Sequence, residues 1–547
     1  MYKNLIIFAM ALFLTLGASA QNKREFRGAW IQCVNGQFMG KSTQQIQSML
    51  SKQLDELEKD GVNAIIFQVR AECDALYESQ LEPWSKFLTG IQGQAPNPYW
   101  DPLAWMVEQC HKRGMEIHAW INPYRAKHGS TSMSQVSKNS VVVKQPKLCF
   151  SYDNLVLLNP GLQESADYVC KVAADIVSRY DVDGFHIDDY FYPYPVAGKQ
   201  IPDQALFQQN SHGYWNIGDW RRDNVSRFVK QLGETIHHIK PWVKFGVSPF
   251  GIYRNKKNDP NGSETNGLQN FDDLYADVLL WVNNGWIDYC VPQLYWEIGH
   301  KAADYKTLIT WWNKHAGKRP LFIGEDIERT AKFADPANPR SHQLPAKHKL
   351  HQQMQNVKGT VLWYAQTAAD NVGNIGHTLR DFYWKYPALP PLMTFLDNKS
   401  PKAVRSLKLK WTEQGPMLNW KAPKGKKWGD VANRFVVYQF KEGEPVDLND
   451  ASKIIKITYD SNVKVPYIKD GKTTYIVTAL DRVGNESKGK KNPARFRKQG
   501  CGIGKSSCAD SCCRPGQKRR VVKNHLRYVW RKNVTEPVSG TASLVRE

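Results

Sequence analysis

Beyond its first twenty residues the sequence has no apolar run long enough to cross a bilayer, which takes about 20 residues. Residues 1–20 combine a lysine, a short apolar stretch and a final Ala-Ser-Ala, which predicts a cleaved signal peptide. No cysteine follows these small residues, so no lipid anchor is expected. The apolar stretch is too short and too poorly flanked for stable membrane insertion. We therefore expect a secreted or periplasmic protein whose mature chain begins near residue 21.

Cysteine is sparse and irregularly placed, with ten residues in 547, and no HExxH motif is present. Four cysteines lie within residues 501–513, but their spacing matches none of the usual zinc-ligand pairs. We expect no cofactor and no structural metal, and a basic, disordered tail over residues 498–547. The other cysteines occur singly and are expected to be buried as small hydrophobic residues; they are Cys33, Cys73, Cys110, Cys149, Cys170 and Cys290.

The large formal charge of +22 is nearly absent from the first 398 residues. Residues 399–497 hold 22 basic and 10 acidic side chains, and residues 498–547 hold 11 and 3, which leaves about +2 for the rest. A basic appendage attracts acidic polymers. Outside the cytoplasm this favours an acidic wall glycan as partner over nucleic acid, and it leaves the oligomeric state open.

Strand-like and helix-like segments alternate eight times between residues 24 and 386, which predicts an α/β fold, a (β/α)8 TIM barrel. The predicted strands are 27–33, 62–70, 115–123, 183–190, 243–250, 288–296, 320–326 and 359–366.

The texture changes after the proline-rich segment "YPALPPL" at residues 386–392. Short alternating strands then follow one another over residues 399–497, which predicts a small all-β sandwich of about 100 residues. Trp411, Trp420 and the stretch "YIVTALDRVGNES" resemble fibronectin type III domains.

The fourth predicted strand, "DGFHIDDY", ends in two carboxylates, Asp188 and Asp189. Side chains of a barrel strand alternate between the interior and the surrounding helices. Phe185 and Ile187 suit the helix-facing side, so Asp188 is expected to point inward. Asp189 shares the phase of the apolar pair and is expected to turn aside unless the strand has already ended.

Two carboxylates that flank an acetal can hydrolyse it, one as general acid and the other as nucleophile or base. We expect Asp188 to be the nucleophile and Glu297, just past the sixth strand, to be the acid, because nearby Tyr295 and Trp296 would raise its pKa. Other carboxylates compete for the acid role; they are Glu72, Asp74 and Glu325. Asp189 is a further catalytic candidate without an assigned role.

Further polar and aromatic side chains are expected to collect at the carboxyl ends of the strands, where barrel enzymes place their sites. Those expected to bind hydroxyls or an acidic substituent are Arg70, His118, Asn122, Arg125 and Gln293. Rings expected to stack on sugars are Tyr190, Tyr192, Tyr194, Trp215, Tyr295 and Trp296, with His186 binding substrate or orienting Asp188.

Two other classes of function fit the same residues. His118, His186, Asp188 and Asp189 are able to bind a divalent ion, which would suit a metal-dependent polysaccharide deacetylase. A barrel that has lost catalysis would be a non-catalytic carbohydrate-binding protein.

Ordered motifs across residues 24–386 resemble the glycosyl-hydrolase-like family ten domain. They are "REFRGAWIQ", "FQVRAECDALYES", "LEPWSKFLTG", "HAWINPYR", "LLNPG", "GFHIDDYFYPYP", "FGVSPFGIYRN" and "IDYCVPQLYW".

The resemblance implies a secreted or periplasmic TIM-barrel glycosidase that acts on cell-wall glycan and often carries a fibronectin type III appendage. "GFHID" resembles a "GFRxD" strand whose aspartate is the nucleophile, here Asp188, with His186 in place of the arginine. The arrangement also implies an acid at Glu297. Relatives more often have a small residue at Glu72, which leaves Asp74 in contention.

Overall fold

A computed structural model describes residues 21–425, 428–468 and 471–495. Eight parallel strands close into a barrel in the spatial order β1-β8-β7-β6-β5-β4-β3-β2. The strands are β1 Phe26–Ile31, β2 Ala64–Arg70, β3 Glu116–Ile121, β4 Gly184–Ile187, β5 Lys244–Val247, β6 Tyr289–Cys290, β7 Leu321–Asp326 and β8 Val357–Trp363. All eight predicted strands are therefore confirmed, each shorter or shifted by a few residues.

Helices cover the outside of this barrel. The main ones are α1 Thr43–Lys59, α2 Pro102–Lys112, α3 Gln163–Arg179, α4 Ile217–Ile239, α5 Val278–Asn284, α6 Tyr305–His315 and α7 Leu344–Gln353. Shorter helices are Lys86–Thr89, Val141–Lys144, Gln204–Gln209, Asn270–Asp273, Ile327–Lys332, Ala365–Ala369 and Ile375–Thr378. A three-stranded antiparallel sheet in the loop after β3 consists of Arg125–Lys127, Cys149–Tyr152 and Leu155–Leu158. A small hairpin after β7 pairs Ala334–Asp335 with Asn338–His342.

Helix α1 shows how local sequence fixes an outer element. Ser42 and Gln45 form a reciprocal capping box at its start, which satisfies backbone N–H groups that lack helical partners. Apolar residues at helical spacing, among them Ile46, Leu50 and Leu57, are buried against the barrel. The apolar residues whose spacing predicts the helix are thus the residues that pack it against the barrel.

Two inward-facing glycines make room inside the barrel for large polar side chains. A Cβ on Gly184 would lie 2.3 Å from the His118 ring, and one on Gly246 would lie 1.9 Å from the Tyr289 ring. Real Cβ contacts are never that short, so only glycine fits at these two strand positions. The interior is therefore packed with rings and polar groups rather than branched aliphatics.

Residues 405–495 form two antiparallel sheets. A three-stranded sheet has the order β9-β10-β13, from strands β9 Arg405–Thr412, β10 Gly415–Lys421 and β13 Asn462–Lys464. A four-stranded sheet has the order β12-β11-β14-β15, from strands β11 Arg434–Lys441, β12 Ile454–Thr458, β14 Lys472–Leu480 and β15 Lys490–Arg495. Trp420, Phe435, Tyr475 and Val477 belong to their shared core.

These sheets close the base of the barrel, where the strands begin. Met393 and Val483 join the interior cluster that contains Phe26 and Phe322. Arg434 of β11 reaches the buried carboxylate of Glu116 at 2.6 Å. The barrel interior is thus completed by residues from the C-terminal part of the chain.

The six single cysteines lie unpaired, five of them buried and Cys149 half-buried. No helix within the described residues combines the length and the apolar character that a membrane span needs. The expected signal peptide at residues 1–20 and the tail at residues 498–547 lie outside the described residues.

Candidate active site

Asp188 lies directly after β4 ends, at the end of the barrel where the strands finish, which we call the mouth. It points inward, as the alternation of side chains along β4 predicts. Its carboxylate accepts hydrogen bonds from Trp120 Nε1 at 3.1 Å and from Asn122 Nδ2 at 3.2 Å. Both donors come from the neighbouring strand β3 and the residue just beyond it. Only 4% of Asp188 is exposed to solvent. The carboxylate is therefore held in one orientation by two neutral donors.

Asp189 is not turned away from the mouth, because the strand has already ended, which is the exception that the expectation from the sequence allowed. Strand β4 ends at Ile187, and alternation no longer applies two residues later. The Asp189 carboxylate instead accepts hydrogen bonds from the Tyr194 hydroxyl and the Gln293 side chain. Gln293 also donates to the backbone carbonyl of Ser248 at 2.9 Å. Both aspartates thus contribute to one buried carboxyl pair.

Burial shifts the protonation of this pair. It raises the pKa of Asp188 to about 7, with a further rise from Asp189 and an opposing effect from Arg125. Burial likewise raises the pKa of Asp189, against the hydrogen bond from Tyr194. A carboxyl that titrates near neutrality is suited to gain or lose charge during a reaction at pH 7.

Arg125 is the cation whose positive charge lowers the pKa of both aspartates, against the effect of burial. Its Nε donates to the carbonyl of Ala71 at 2.9 Å, and its guanidinium lies 4.8 Å from the centre of the Tyr190 ring. Tyr190 in turn stacks on Tyr194 at 5.2 Å. Arg125 and Tyr190 therefore form one wall of the mouth, and their contact with substrate stays a prediction.

Four aromatic rings form another wall beside Asp188. Trp363 stacks on Tyr295 at 6.0 Å and meets Trp30 and Trp120 edge-on at 6.1 and 6.3 Å. Trp30, Trp120 and Trp363 are not among the predicted site residues, although the alternation of side chains along their strands places them on the inward face. Trp363, for example, is two residues beyond the inward-facing Val361. A half-buried ring at this place suits the apolar face of a sugar.

Two of the polar residues expected to bind substrate are already hydrogen-bonded to other residues of the protein. Arg70 forms a fully buried ion pair with Glu82 at 2.7 Å and donates to the carbonyl of Asn122. Asn122 uses its amide nitrogen on Asp188 and its oxygen on the Arg125 backbone N–H. Arg70 therefore fixes the end of β3, and Asn122 orients Asp188.

His118 and His186 lie deep in the barrel rather than at its mouth. Their Nδ1 atoms approach the Tyr289 hydroxyl at 2.7 and 3.1 Å. His186 Nε2 lies 2.9 Å from Ser248 Oγ, so it does not orient Asp188. Burial lowers the pKa of both imidazoles. His118 Nε2 also lies 3.3 Å from Glu116, so both histidines are held by interior residues and are part of the interior packing.

The remaining predicted rings divide between packing and the mouth. Tyr192 is fully buried against Tyr275 at 5.2 Å, and its hydroxyl receives a bond from Asn224 of α4, so it has no face for a sugar. Trp296 is half-buried and meets Phe250 edge-on at 5.5 Å.

The competing carboxylates have other partners. Glu297 is paired with Arg329 at 3.4 Å. Glu325 points toward the helices and is bound by Tyr305, Thr330 and Lys347.

Glu72 and Asp74 form a second buried acidic pair in the loop after β2. Glu72 accepts from Thr131 at 2.8 Å and from the His128 backbone N–H. Burial, with a contribution from Glu72, raises the pKa of Asp74 to about 7. Glu72 thus contacts the loop after β3, whereas Asp74 accepts from the Glu72 backbone N–H at 3.2 Å and from Ser85.

A metal site built on His118, His186, Asp188 and Asp189 does not fit these contacts, because both histidines are bound to Tyr289. Across residues 21–425, 428–468 and 471–495, no group of three or more His, Cys, Asp or Glu is arranged to hold a metal ion.

Comparison with known proteins identifies the family. The model of the family described as Glycosyl hydrolase-like 10 matches residues 25–332. The chain belongs to this family. This glycosyl hydrolase-like 10 protein is 37% identical over 503 residues to the glycosyl hydrolase YngK of Bacillus subtilis (strain 168), which covers 90% of this chain and 98% of the relative.

Glycosyl hydrolase DigH of Escherichia coli (strain K12) is 37% identical to this family member over 313 residues, which is 53% of this chain and 70% of DigH. Among solved structures, the catalytic domain of β-amylase from Paenibacillus polymyxa matches with a TM-score of 0.44 and 12% identity, over 67% of this chain and 99% of that chain.

The buried Asp188 carboxyl is expected to make this glycosyl hydrolase-like 10 protein less stable as the pH rises. Because its folded pKa of about 7 lies above the ordinary value of 3.8, its stabilising contribution is complete below about pH 4 and is lost as the pH rises through 7. Asp188→Asn is therefore expected to raise the melting temperature at pH 8 relative to wild type, and to raise it less at pH 5. Thermal melts of both proteins at the two pH values test this. An equal difference at both would contradict it.

Proposed function

We propose that this protein is a secreted or periplasmic glycoside hydrolase that cleaves O-glycosyl bonds in the glycan strands of bacterial peptidoglycan. The observation that carries the proposal is the buried pair Asp188 and Asp189 at an aromatic-walled mouth, with the pKa of both carboxyls raised. Family membership supports the reaction class. The basic C-terminal residues support an acidic polymer as substrate.

We assign the nucleophile role to Asp188. Its carboxylate would attack the anomeric carbon and form a glycosyl ester, while a second carboxyl gives its proton to the departing glycosidic oxygen. Burial makes the negative charge of Asp188 costly, and ester formation removes that charge. Asn122 and Trp120 aim the attacking oxygen throughout.

We assign the acid role to Asp189 rather than Glu297. A general acid benefits from a raised pKa, and burial raises the pKa of Asp189. The roles divide between the two buried carboxyls because Trp120 and Asn122 orient Asp188 for attack. Glu297 instead faces the guanidinium of Arg329. Water then hydrolyses the ester, and Asp189, now ionised, accepts its proton.

The reaction is tested by incubating the purified protein with purified wall glycan and measuring new reducing ends. Hydrolysis releases shorter strands with one new reducing end for each bond cut. Binding without release would instead identify a non-catalytic carbohydrate-binding protein. Acetate release without chain shortening would identify a deacetylase.

Trp215 is expected to extend the substrate site beyond the mouth. Its side chain is fully exposed in the loop after β4, which lies on the mouth side of a parallel barrel. The loop is fixed, because Asn216 caps α4 through the Gly218 backbone N–H at 2.6 Å and the His212 ring lies 3.1 Å from Asp223. An exposed indole on such a loop is suited to stacking on a sugar ring.

Trp215→Ala is therefore expected to raise KM on long glycan strands about five- to tenfold, which corresponds to the loss of roughly 1 kcal/mol of stacking free energy. Hydrolysis of a disaccharide-length substrate should stay unchanged, and Trp215→Phe should retain most of the wild-type KM. Steady-state kinetics on strands of graded length make the comparison. Equal losses on long and short substrates would show that Trp215 does not contact the distant sugars.

We also propose that residues 399–497 are a fibronectin type III domain, and that it helps to hold acidic wall polymer. Seven antiparallel strands in sheets of three and four support this assignment.

A further inference from the structure

A cavity lies at the base of the barrel, at the opposite end from Asp188. It has a volume of about 950 Å³. Its walls come from residues 21–25 before β1, residues 317–320 before β7, residues 354–359 at the start of β8 and residues 391–395 after the barrel. Because the strands are parallel, all of these segments lie at their amino ends. The cavity is therefore separate from the mouth.

The lining is strongly cationic. Five basic side chains line the cavity against a single acid, Glu25; the basic ones are Lys23, Arg24, Lys318, Arg319 and Lys358. Glu25 is already paired with Arg27 at 2.8 Å, and Lys23 with Glu486 at 2.5 Å. Lys318 and Lys358 are exposed and have no carboxylate within ion-pair distance among the described residues. Their charge is thus open to a ligand.

Arg319 adds a cation that is held by several contacts, whereas Lys318 is exposed and Lys358 donates to the Gln355 carbonyl at 2.7 Å. The Arg319 guanidinium donates to the carbonyls of Ile287 and Gly285 at 2.9 and 3.2 Å, and it lies 3.8 Å from the centre of the Phe395 ring. These contacts hold it in place without neutralising its charge. A preorganised cation binds an anion with less loss of side-chain freedom.

Neutral groups of the kind that bind sugars complete the cavity. Phe382 is 75% exposed, and Gln352, Gln355 and Asn356 also line the cavity, with the Asn356 amide nitrogen donating to the Asn313 carbonyl at 2.8 Å. Amides bind hydroxyl groups, and an exposed ring stacks on the apolar face of a sugar. Cations, amides and a ring in one concave surface match a polymer that carries both hydroxyls and negative charge.

We propose that this basal cleft, lined by Lys318, Arg319, Lys358 and Phe382, binds a segment of acidic polysaccharide. Its concave shape and amide groups favour a glycan over a flat lipid surface or the regular phosphates of duplex DNA. The site is independent of the hydrolysis proposed above, since it lies at the other end of the barrel. It would hold the protein on an anionic wall polymer while the mouth remains open.

The test measures binding of the full-length protein to hyaluronan oligosaccharide, an acidic chain of N-acetylglucosamine and glucuronate, with neutral dextran as a reference. The double variant Lys318→Glu and Lys358→Glu is expected to weaken hyaluronan binding at least tenfold. The matched control reverses Lys52 on α1 and Lys171 on α3, which changes the net charge equally on the outer helices. This control should bind as wild type does.

Phe382→Ala separates sugar recognition from charge alone. It is expected to weaken hyaluronan binding about threefold or more and to leave binding of inorganic polyphosphate unchanged. Equal losses in the cleft variant and the Lys52 and Lys171 control would overturn the site, because net charge alone would then explain binding. A duplex DNA that competes more strongly than hyaluronan, with the same dependence on Lys318 and Lys358, would overturn the ligand class.

Discussion

Asp188→Asn is expected to reduce the release of reducing ends from wall glycan by at least about 10³-fold. The amide keeps the shape and the contacts with Trp120 but cannot form the glycosyl ester, and loss of a positioned catalytic carboxyl costs roughly 10²–10⁴-fold or more. Initial rates at saturating glycan give kcat, and a binding assay shows that the variant still holds substrate.

The other carboxyls serve as matched variants in the same assay. Asp189→Asn should lose at least about 10²-fold, whereas Glu297→Gln and Asp74→Asn should keep most of the rate. If Asp188→Asn kept a rate close to that of wild type, Asp188 would not be the nucleophile. If Glu297→Gln were slow and Asp189→Asn fast, Glu297 would be the acid.

The positions of strands and the direction of Asp188 were predictable because both depend on short-range alternation. Apolar side chains at every second position of β4 must face the helices, so Asp188 has to face inward. The same reasoning fails for Asp189 because it needs the strand to continue, and β4 stops at Ile187.

Side-chain partners were not predictable from alternation, because they lie far apart in the chain. Arg70 and His118 face inward as parity suggests, yet Glu82 and Tyr289 bind them. Tyr289 is 171 residues from His118, and a pattern read along one strand carries no information about a residue on another. Parity tells which way a side chain points, and packing decides whether it remains available to substrate.

The contact between Arg434 and Glu116 is the clearest case of such a distant pairing. Glu116 accepts from Lys244 and from Arg434 at 2.6 Å each, and all three side chains are almost fully buried. Burial alone would raise the pKa of Glu116, but the two cations together hold it well below its ordinary value. One strand of the C-terminal sheet thereby neutralises a charge inside the barrel.

Glu116→Gln is expected to lower the free energy of unfolding by about 3–5 kcal/mol, since it leaves two buried cations without their anion. Urea denaturation followed by tryptophan fluorescence measures the change. Arg434→Met is the matched control, because it leaves the Lys244–Glu116 pair intact and should cost less. In the double variant Glu116→Gln with Arg434→Met, only Lys244 remains as an unpaired cation. Arg434→Met should therefore lower the free energy of unfolding less in the Glu116→Gln background than in wild type, or should even raise it. Strictly additive losses would mean that Arg434 contributes through packing alone, and that its charge does not couple the C-terminal sheets to the barrel.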